Sequence, residues 1–270
     1  LRPHRARQAA GSQGRRGIAL SDPEPEPGPR PSALLLHGFT GSALDWSACL
    51  GADPRCLAID LPGHGDRADP RGAFGDVIHA LLDELPDSID RVVGYSLGGR
   101  VALGLIQAAP GRFRAATLIS AHPGLTDPIL VEQRRAADRQ WIELLRQEGI
   151  APFVNAWEKL PLFASQRRLP AEVLAAQRAR RLRQRPEGLA ACLACLGLAE
   201  MPSTWDALAR FAGDLHWIVG GEDRKFGHLA RQVAEQRPAT RVTVLDGIGH
   251  NPLLESPRTL RDLILQNLPC

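Results

Sequence analysis

Ser96 is the residue with the clearest chemical potential, standing in Gly94-Tyr95-Ser96-Leu97-Gly98. A β-branched pair, Val92-Val93, precedes this G-x-S-x-G pattern, and a helix-forming run over residues 100–109 follows it. Strand, tight turn and helix in that order form a nucleophile elbow, which lifts a serine hydroxyl clear of its neighbours. Glycine is needed two places either side of so sharp a turn, and Gly99 leaves room for the helix to pack. Ser96 itself is expected to hold a strained φ/ψ.

A serine hydroxyl is a poor nucleophile and a poor base until a histidine takes its proton, and that histidine needs an acid behind it. His250, in Gly247-Ile248-Gly249-His250-Asn251, follows the last expected strand, whereas His228 falls within an expected surface helix. Loops at strand carboxyl ends face the crevice of a parallel sheet, which favours His250. By the same rule Asp223, in the loop after residues 215–219, is the acid, with Glu222 as its local rival. Asp214 precedes that strand, Asp246 lies too near His250, and Asp127 sits several residues beyond the fourth strand. Asp60 and Asp66 come before the serine and are expected to be loop or cap hydrogen bonders. Developing negative charge on an oxygen needs two backbone N–H groups. Leu97 and Phe39 are expected to supply them, with His37 shaping the Phe39 loop.

These residues must be positioned by alternating elements. Strands are expected over 33–36, 55–60, 91–95, 115–120, 215–219 and 241–245, with helices over 42–50, 76–85, 100–109, 228–236 and 257–268. That rhythm implies parallel βαβ crossovers, hence a mostly parallel, doubly wound α/β sheet. Residues 126–200 break it, reading only as helices over 130–148, 152–158, 170–185 and 187–200, which suggests a helical cap inserted between two strands. The core then comprises 32–125 and 201–270. Residues 1–31 are Arg- and Pro-rich and are expected to be an extended tail. Their Arg-rich, acid-poor start is compositionally like a transit peptide, and the lack of an apolar stretch before residue 30 argues against a secretory signal.

Leu36-His37-Gly38-Phe39, Asp60-Leu61-Pro62-Gly63-His64-Gly65, the elbow and Gly249-His250-Asn251, in this order, resemble the α/β-hydrolase superfamily over residues 32–268. Gly94 to Arg100, His122-Pro123-Gly124-Leu125, Asp138 to Trp141, Trp157 with Pro161 to Ser165, and Lys225-Phe226 resemble one branch more closely. That branch is the 2-succinyl-6-hydroxy-2,4-cyclohexadiene-1-carboxylate (SHCHC) synthase family of menaquinone biosynthesis. The resemblance implies a lyase that uses Ser96, His250 and Asp223 to remove a proton and expel pyruvate, without a cofactor, from a small polycarboxylate. It also implies that Tyr95, Arg100, Arg134, Trp157, Arg178 and Lys225 bind the substrate. Gly221 stands where that family has glutamate, the extended tail is not a family feature, and the sheet is expected to have fewer than eight strands. An esterase or C–C bond hydrolase working through an acyl-enzyme is the alternative.

Composition narrows the remaining classes. A net charge of +3 is too small to argue for nucleic acid, and no apolar run reaches the roughly 18 residues that span a membrane. Arginines crowd residues 134–185, where they suit an anionic ligand. Five scattered cysteines suggest a reducing, cytoplasmic setting. Cys192-x-x-Cys195 has no second Cys/His pair, so it reads as a buried helix face and not as a metal half-site.

Overall fold

The structure is a computed structural model that describes residues 30–268. Almost all of the expected tail over 1–31, together with Cys270, lies outside the described residues. In chain order the elements are β1 (Ala33–Leu36), a 3-10 turn (Ala43–Trp46) running into α1 (Ser47–Leu50), β2 (Cys56–Ile59), α2 (Phe74–Glu84), β3 (Arg91–Tyr95), α3 (Leu97–Ala108) and β4 (Ala115–Ile119). Then come α4 (Pro128–Glu148), α5 (Ile150–Trp157), a 3-10 helix (Pro161–Arg168), α6 (Ala171–Leu182), α7 (Pro186–Leu196) and α8 (Trp205–Arg210). The chain closes with β5 (Asp214–Gly220), α9 (Arg224–Gln236), β6 (Arg241–Leu245), α10 (Pro252–Glu255) and α11 (Pro257–Leu265).

The six strands form one all-parallel sheet in the order β2-β1-β3-β4-β5-β6. Its two faces follow the period of two along each strand. Leu34, Leu36, Val92, Leu118, Trp217 and Val219 pack with the apolar sides of α2, α3, α8 and α9. Leu35, Val93, Ile119 and Ile218 face the other way, against Trp46, Leu50, Leu260 and Ile264. Burial on both faces explains why these strands read as unbroken apolar runs.

The chain leaves β1 toward β2 on one side and returns to place β3 on the other. Loops that diverge from neighbouring parallel strands open a crevice at their carboxyl ends. The Phe39 loop follows β1 and Ser96 follows β3, so both open into this crevice. Between β4 and β5 every element is helical, and a third apolar cluster of Leu145, Phe153, Val154, Leu189 and Leu193 binds α4, α5 and α7 together. Among the described residues no helix is long and apolar enough to cross a membrane.

Cys192 and Cys195 point into the main core from α7. Burial pushes the Cys192 thiol up to about 12, and Cys49, Cys56, Cys192 and Cys195 are all free.

Candidate active site

Ser96 sits at φ 51° and ψ −106°, immediately before α3. A non-glycine residue rarely adopts positive φ, and a strained backbone of this kind costs about 1–3 kcal/mol. Its glycines leave no alternative. A Cβ on Gly94 would lie 2.4 Å from the Gly98 carbonyl oxygen, and one on Gly98 would lie 2.1 Å from that of Leu36. The Ser96 N–H donates to the Ile119 carbonyl at 2.9 Å, which ties the turn to β4.

His250 Nε2 lies 3.1 Å from Ser96 Oγ, and its Nδ1 lies 2.6 Å from Asp223 Oδ2. The Asp223 carboxylate accepts a hydrogen bond from Nδ1–H, which leaves the Nε2 lone pair free for the serine hydroxyl. Both His250 and Asp223 are buried, so water competes little for these bonds. The rivals for the acid are occupied elsewhere. Glu222 takes both guanidinium arms of Arg168, at 2.7 and 2.8 Å. Asp127 accepts from the Ile129 N–H at the start of α4, and Asp60 accepts from the Ala43 N–H.

The acid loop and the histidine loop are held as one unit. Gly221 N–H donates to Leu245 O and Glu222 N–H to Ile248 O, at 2.8 and 2.9 Å. Asp223 Oδ1 accepts from Phe226 N–H and so caps α9 as well as facing His250. Glu255 accepts from the N–H groups on either side of His250, those of Gly249 (2.8 Å) and Asn251 (3.1 Å). Nothing in the sequence pattern singled out Glu255. With Gly221 in this loop, Asp223 Oδ2 still reaches His250 Nδ1 at 2.6 Å.

His37 lies beneath the Phe39 loop. Its Nδ1 donates to Gly38 O at 2.8 Å and its Nε2 accepts from Leu61 N–H at 2.9 Å. Those partners require the neutral Nδ1–H tautomer, and burial lowers the imidazole's pKa in the same sense. Leu97 is the first residue of α3, where the leading N–H groups have no partner within the helix.

Ser96, Phe39, Thr40, Tyr95 and His250 border a cavity of about 170 Å³. Aromatic rings from the helical segment roof it: Trp157 stacks on Phe153 at 5.5 Å, meets Phe39 edge-on at 5.3 Å and approaches Phe163 at 6.0 Å. Tyr95 packs against His250 and over Gly38, where a Cβ would lie 2.5 Å from its ring.

Five cationic side chains, Arg100, Arg134, Arg180, Arg181 and Lys225, line the same space. Burial, and then the neighbouring Arg134, pushes Arg100 down to about 10, so it stays charged near neutrality. Its Nη1 donates to Leu196 O at 2.7 Å. Lys225 is lowered by burial and by Arg134. Arg134 pairs with the buried Asp138 at 2.9 Å.

Arg178 departs from its expected place. It does not line the cavity; one arm pairs with Glu158 at 2.6 Å and the other meets Asn155. Arg181, three residues on, occupies the wall instead, 3.2 Å from the same Glu158 and over the Phe163 ring at 5.3 Å. The inner face of α6 carries the buried Gln177 and Arg181, and position 178 lies to one side of it. Of the expected substrate residues, Tyr95, Arg100, Arg134, Trp157 and Lys225 do share the cavity with Ser96. The structure adds Phe163, Phe226, Ser120 and His122 to its lining.

Sheet, elbow, acid and histidine define a class, and the chain belongs to the alpha/beta hydrolase family, whose model matches residues 33–263. Within that class it is similar to the 2-succinyl-6-hydroxy-2,4-cyclohexadiene-1-carboxylate synthase of Salmonella agona (strain SL483), at 37% identity over 88% of this chain and 94% of that one. Among solved structures it is similar to MenH from S. aureus, with a TM-score of 0.81 and 30% identity over 87% of this chain and 92% of that one. It is also similar to a thermophilic esterase from Thermogutta terrifontis, with a TM-score of 0.72 and 25% identity, covering 87% and 88% of the two chains.

Proposed function

We propose that this protein is an SHCHC synthase, a carbon–oxygen lyase that eliminates pyruvate from a 5-enolpyruvoyl-6-hydroxy-2-succinyl-cyclohexene carboxylate. The observation that carries the reading is the ring of cations around Ser96. Arg100, Arg134, Arg181 and Lys225 suit a substrate with several carboxylates, whereas a neutral ester has no use for them.

In this reading Ser96 is the base. Its hydroxyl proton passes to His250 Nε2 as Oγ takes the proton α to the succinyl ketone. The electron pair moves onto the ketone oxygen, where the Leu97 and Phe39 N–H groups hold the enolate. Collapse of the enolate through the ring double bond breaks the C–O bond to the enolpyruvyl group. The leaving enolate is protonated from His250 and departs as pyruvate. Asp223 keeps the imidazole in the required tautomer and balances its positive charge while it carries the proton. Buried thiols and the small-molecule substrate fit a cytoplasmic enzyme.

The test supplies the enolpyruvyl precursor and follows pyruvate, beside a burst assay with a p-nitrophenyl ester. Fast pyruvate release without a burst is the expected result; a burst with no pyruvate would overturn the reading. The second reading, an esterase or C–C bond hydrolase, has in its favour the likeness to the Thermogutta terrifontis esterase.

A further inference from the structure

The carboxyl end of β4 is held in an unusual shape. Ser120 sits at φ 47° although it is not glycine, and its N–H donates to Ile218 O at 2.8 Å. Ala121 then packs against Gly99 at the start of α3, where a Cβ on the glycine would lie 2.6 Å from that of Ala121. Beyond the next residue, Pro123 O accepts both the N–H and the hydroxyl of Thr204, each at 2.8 Å. The residue between these anchors, His122, is 7% exposed and lines the cavity that holds Ser96.

The hydrogen bonds of His122 determine its tautomer. Nδ1 lies 3.1 Å from the Gly124 N–H and accepts from it, so Nδ1 carries no proton. The proton is therefore on Nε2, which has no hydrogen-bond partner among the described residues. Burial, and then Lys225, Arg100 and Arg134, pushes the imidazole down to about 3, so the ring is uncharged near neutrality. Those three cations line the same cavity.

We infer that His122 is a specificity-determining residue whose Nε2–H binds a substrate carboxylate beside Arg100, Arg134 and Lys225. The inference rests on the reading of the cavity as a polycarboxylate site. A neutral donor has an advantage at this place. It adds a directed hydrogen bond without adding a fourth positive charge that would repel the other three. Asp138 already balances Arg134, so the cluster holds close to the charge that one or two carboxylates neutralise. The fixed tautomer also orients the subsite: the ring can donate to a carboxylate oxygen but presents no lone pair to a hydroxyl.

Citrate is a suitable probe, because it carries carboxylates whatever reaction the enzyme performs. Its binding to the full chain is measured by calorimetry for the wild type, His122→Leu, His122→Phe and His122→Gln, with melting temperatures alongside. Loss of the N–H in the Leu variant should weaken binding about tenfold or more. The Phe variant keeps the ring volume and should lose as much, which covers the case in which Leu disturbs folding. The Gln amide can place an N–H near the Nε2 position and should hold affinity within about threefold. In the pyruvate assay His122→Leu should raise KM and leave kcat nearly intact, the sign of lost uniform binding. The inference is overturned if wild type fails to bind citrate, if Leu and Phe bind it as wild type does, or if Gln loses as much as Leu. Should the precursor yield no pyruvate while citrate follows the expected pattern, the synthase reading fails and the subsite stands.

Discussion

Arg181 and Arg178 lie three residues apart on one helix and share Glu158, yet only Arg181 faces the cavity. Replacing each by alanine separates a cavity-lining cation from a surface ion pair. A hydrogen bond to a charged group is worth about 1.5–3 kcal/mol. Arg181→Ala should therefore lower kcat/KM for pyruvate release by about 10- to 150-fold. Glu158 keeps Arg178 as a partner in that variant, so no buried carboxylate is stranded and the protein should still fold. The Arg178–Glu158 pair has side-chain exposures of 39% and 25%, and pairs so placed contribute about 0–1 kcal/mol. Arg178→Ala should lower the melting temperature by at most about 4 °C and change kcat/KM less than about threefold. The small loss has a direction: Glu158, released from Arg178, competes harder for Arg181. Steady-state pyruvate release and thermal melting of both variants make the comparison. Equal losses, or a larger loss for Arg178→Ala, would refute the placement of α6 and the role of its inner face.

Three further outcomes follow from the site. Asp223→Asn removes the acceptor that fixes the His250 tautomer, so kcat should fall by about 10³–10⁴-fold with KM little changed, and retention of activity would sink the triad reading. Gly98→Ala forces a Cβ to within 2.1 Å of Leu36 O, and overpacking of this kind costs about 1–3 kcal/mol, so melting should drop by several degrees; an unchanged melting curve would contradict the packing of the elbow. Burial and Arg134 lower the Lys225 ammonium, whose cationic form is lost as pH rises, so kcat/KM should decline on the alkaline side before an ordinary lysine would titrate. Lys225→Arg replaces the ammonium with a guanidinium that keeps its charge over this range, so that limb should disappear; a limb that stays in place would assign it to another group.

The parts of the chain with strong periodic constraint were legible. β1 and β3 run over 33–36 and 91–95 as the apolar pattern places them, because strands buried on two faces have little freedom of composition. Helix starts were less so. α3 begins at Leu97 and not at 100, since Gly98 and Gly99 are poor helix formers retained for close packing. α9 begins at Arg224 and not at 228, because Asp223 is its N-cap, a role this side chain combines with its bond to His250. The 3-10 helix Pro161–Arg168 and the short α8 and α10 are not legible in the pattern, as four to eight residues show too little of a 3.6 period. In the site, chain order and loop position were enough to bring Ser96, Asp223 and His250 together. Register on a lone helix was not enough to choose between Arg178 and Arg181. The roles of Glu255 and His122 depend on which loop atoms meet, and residue type does not encode that.

Three of the five cations of the cavity are already seated against carboxylates of the protein itself: Arg134 on Asp138, Arg181 on Glu158 and Arg180 on Asp45. Arg134 and Arg180 keep 33% and 30% of their side chains in solvent. Arg100 and Lys225 have no ion-pair partner among the described residues, so the lining keeps a net positive charge whose field reaches beyond the mouth, over a distance set by a screening length of about 10 Å at 0.1 M salt. A diffusing polyanion is drawn toward the opening, and a neutral ester of the same size is not. Added salt should slow capture of the former and leave the latter alone. Part of the discrimination is thus exercised in the encounter, before any atom of the ligand touches Ser96.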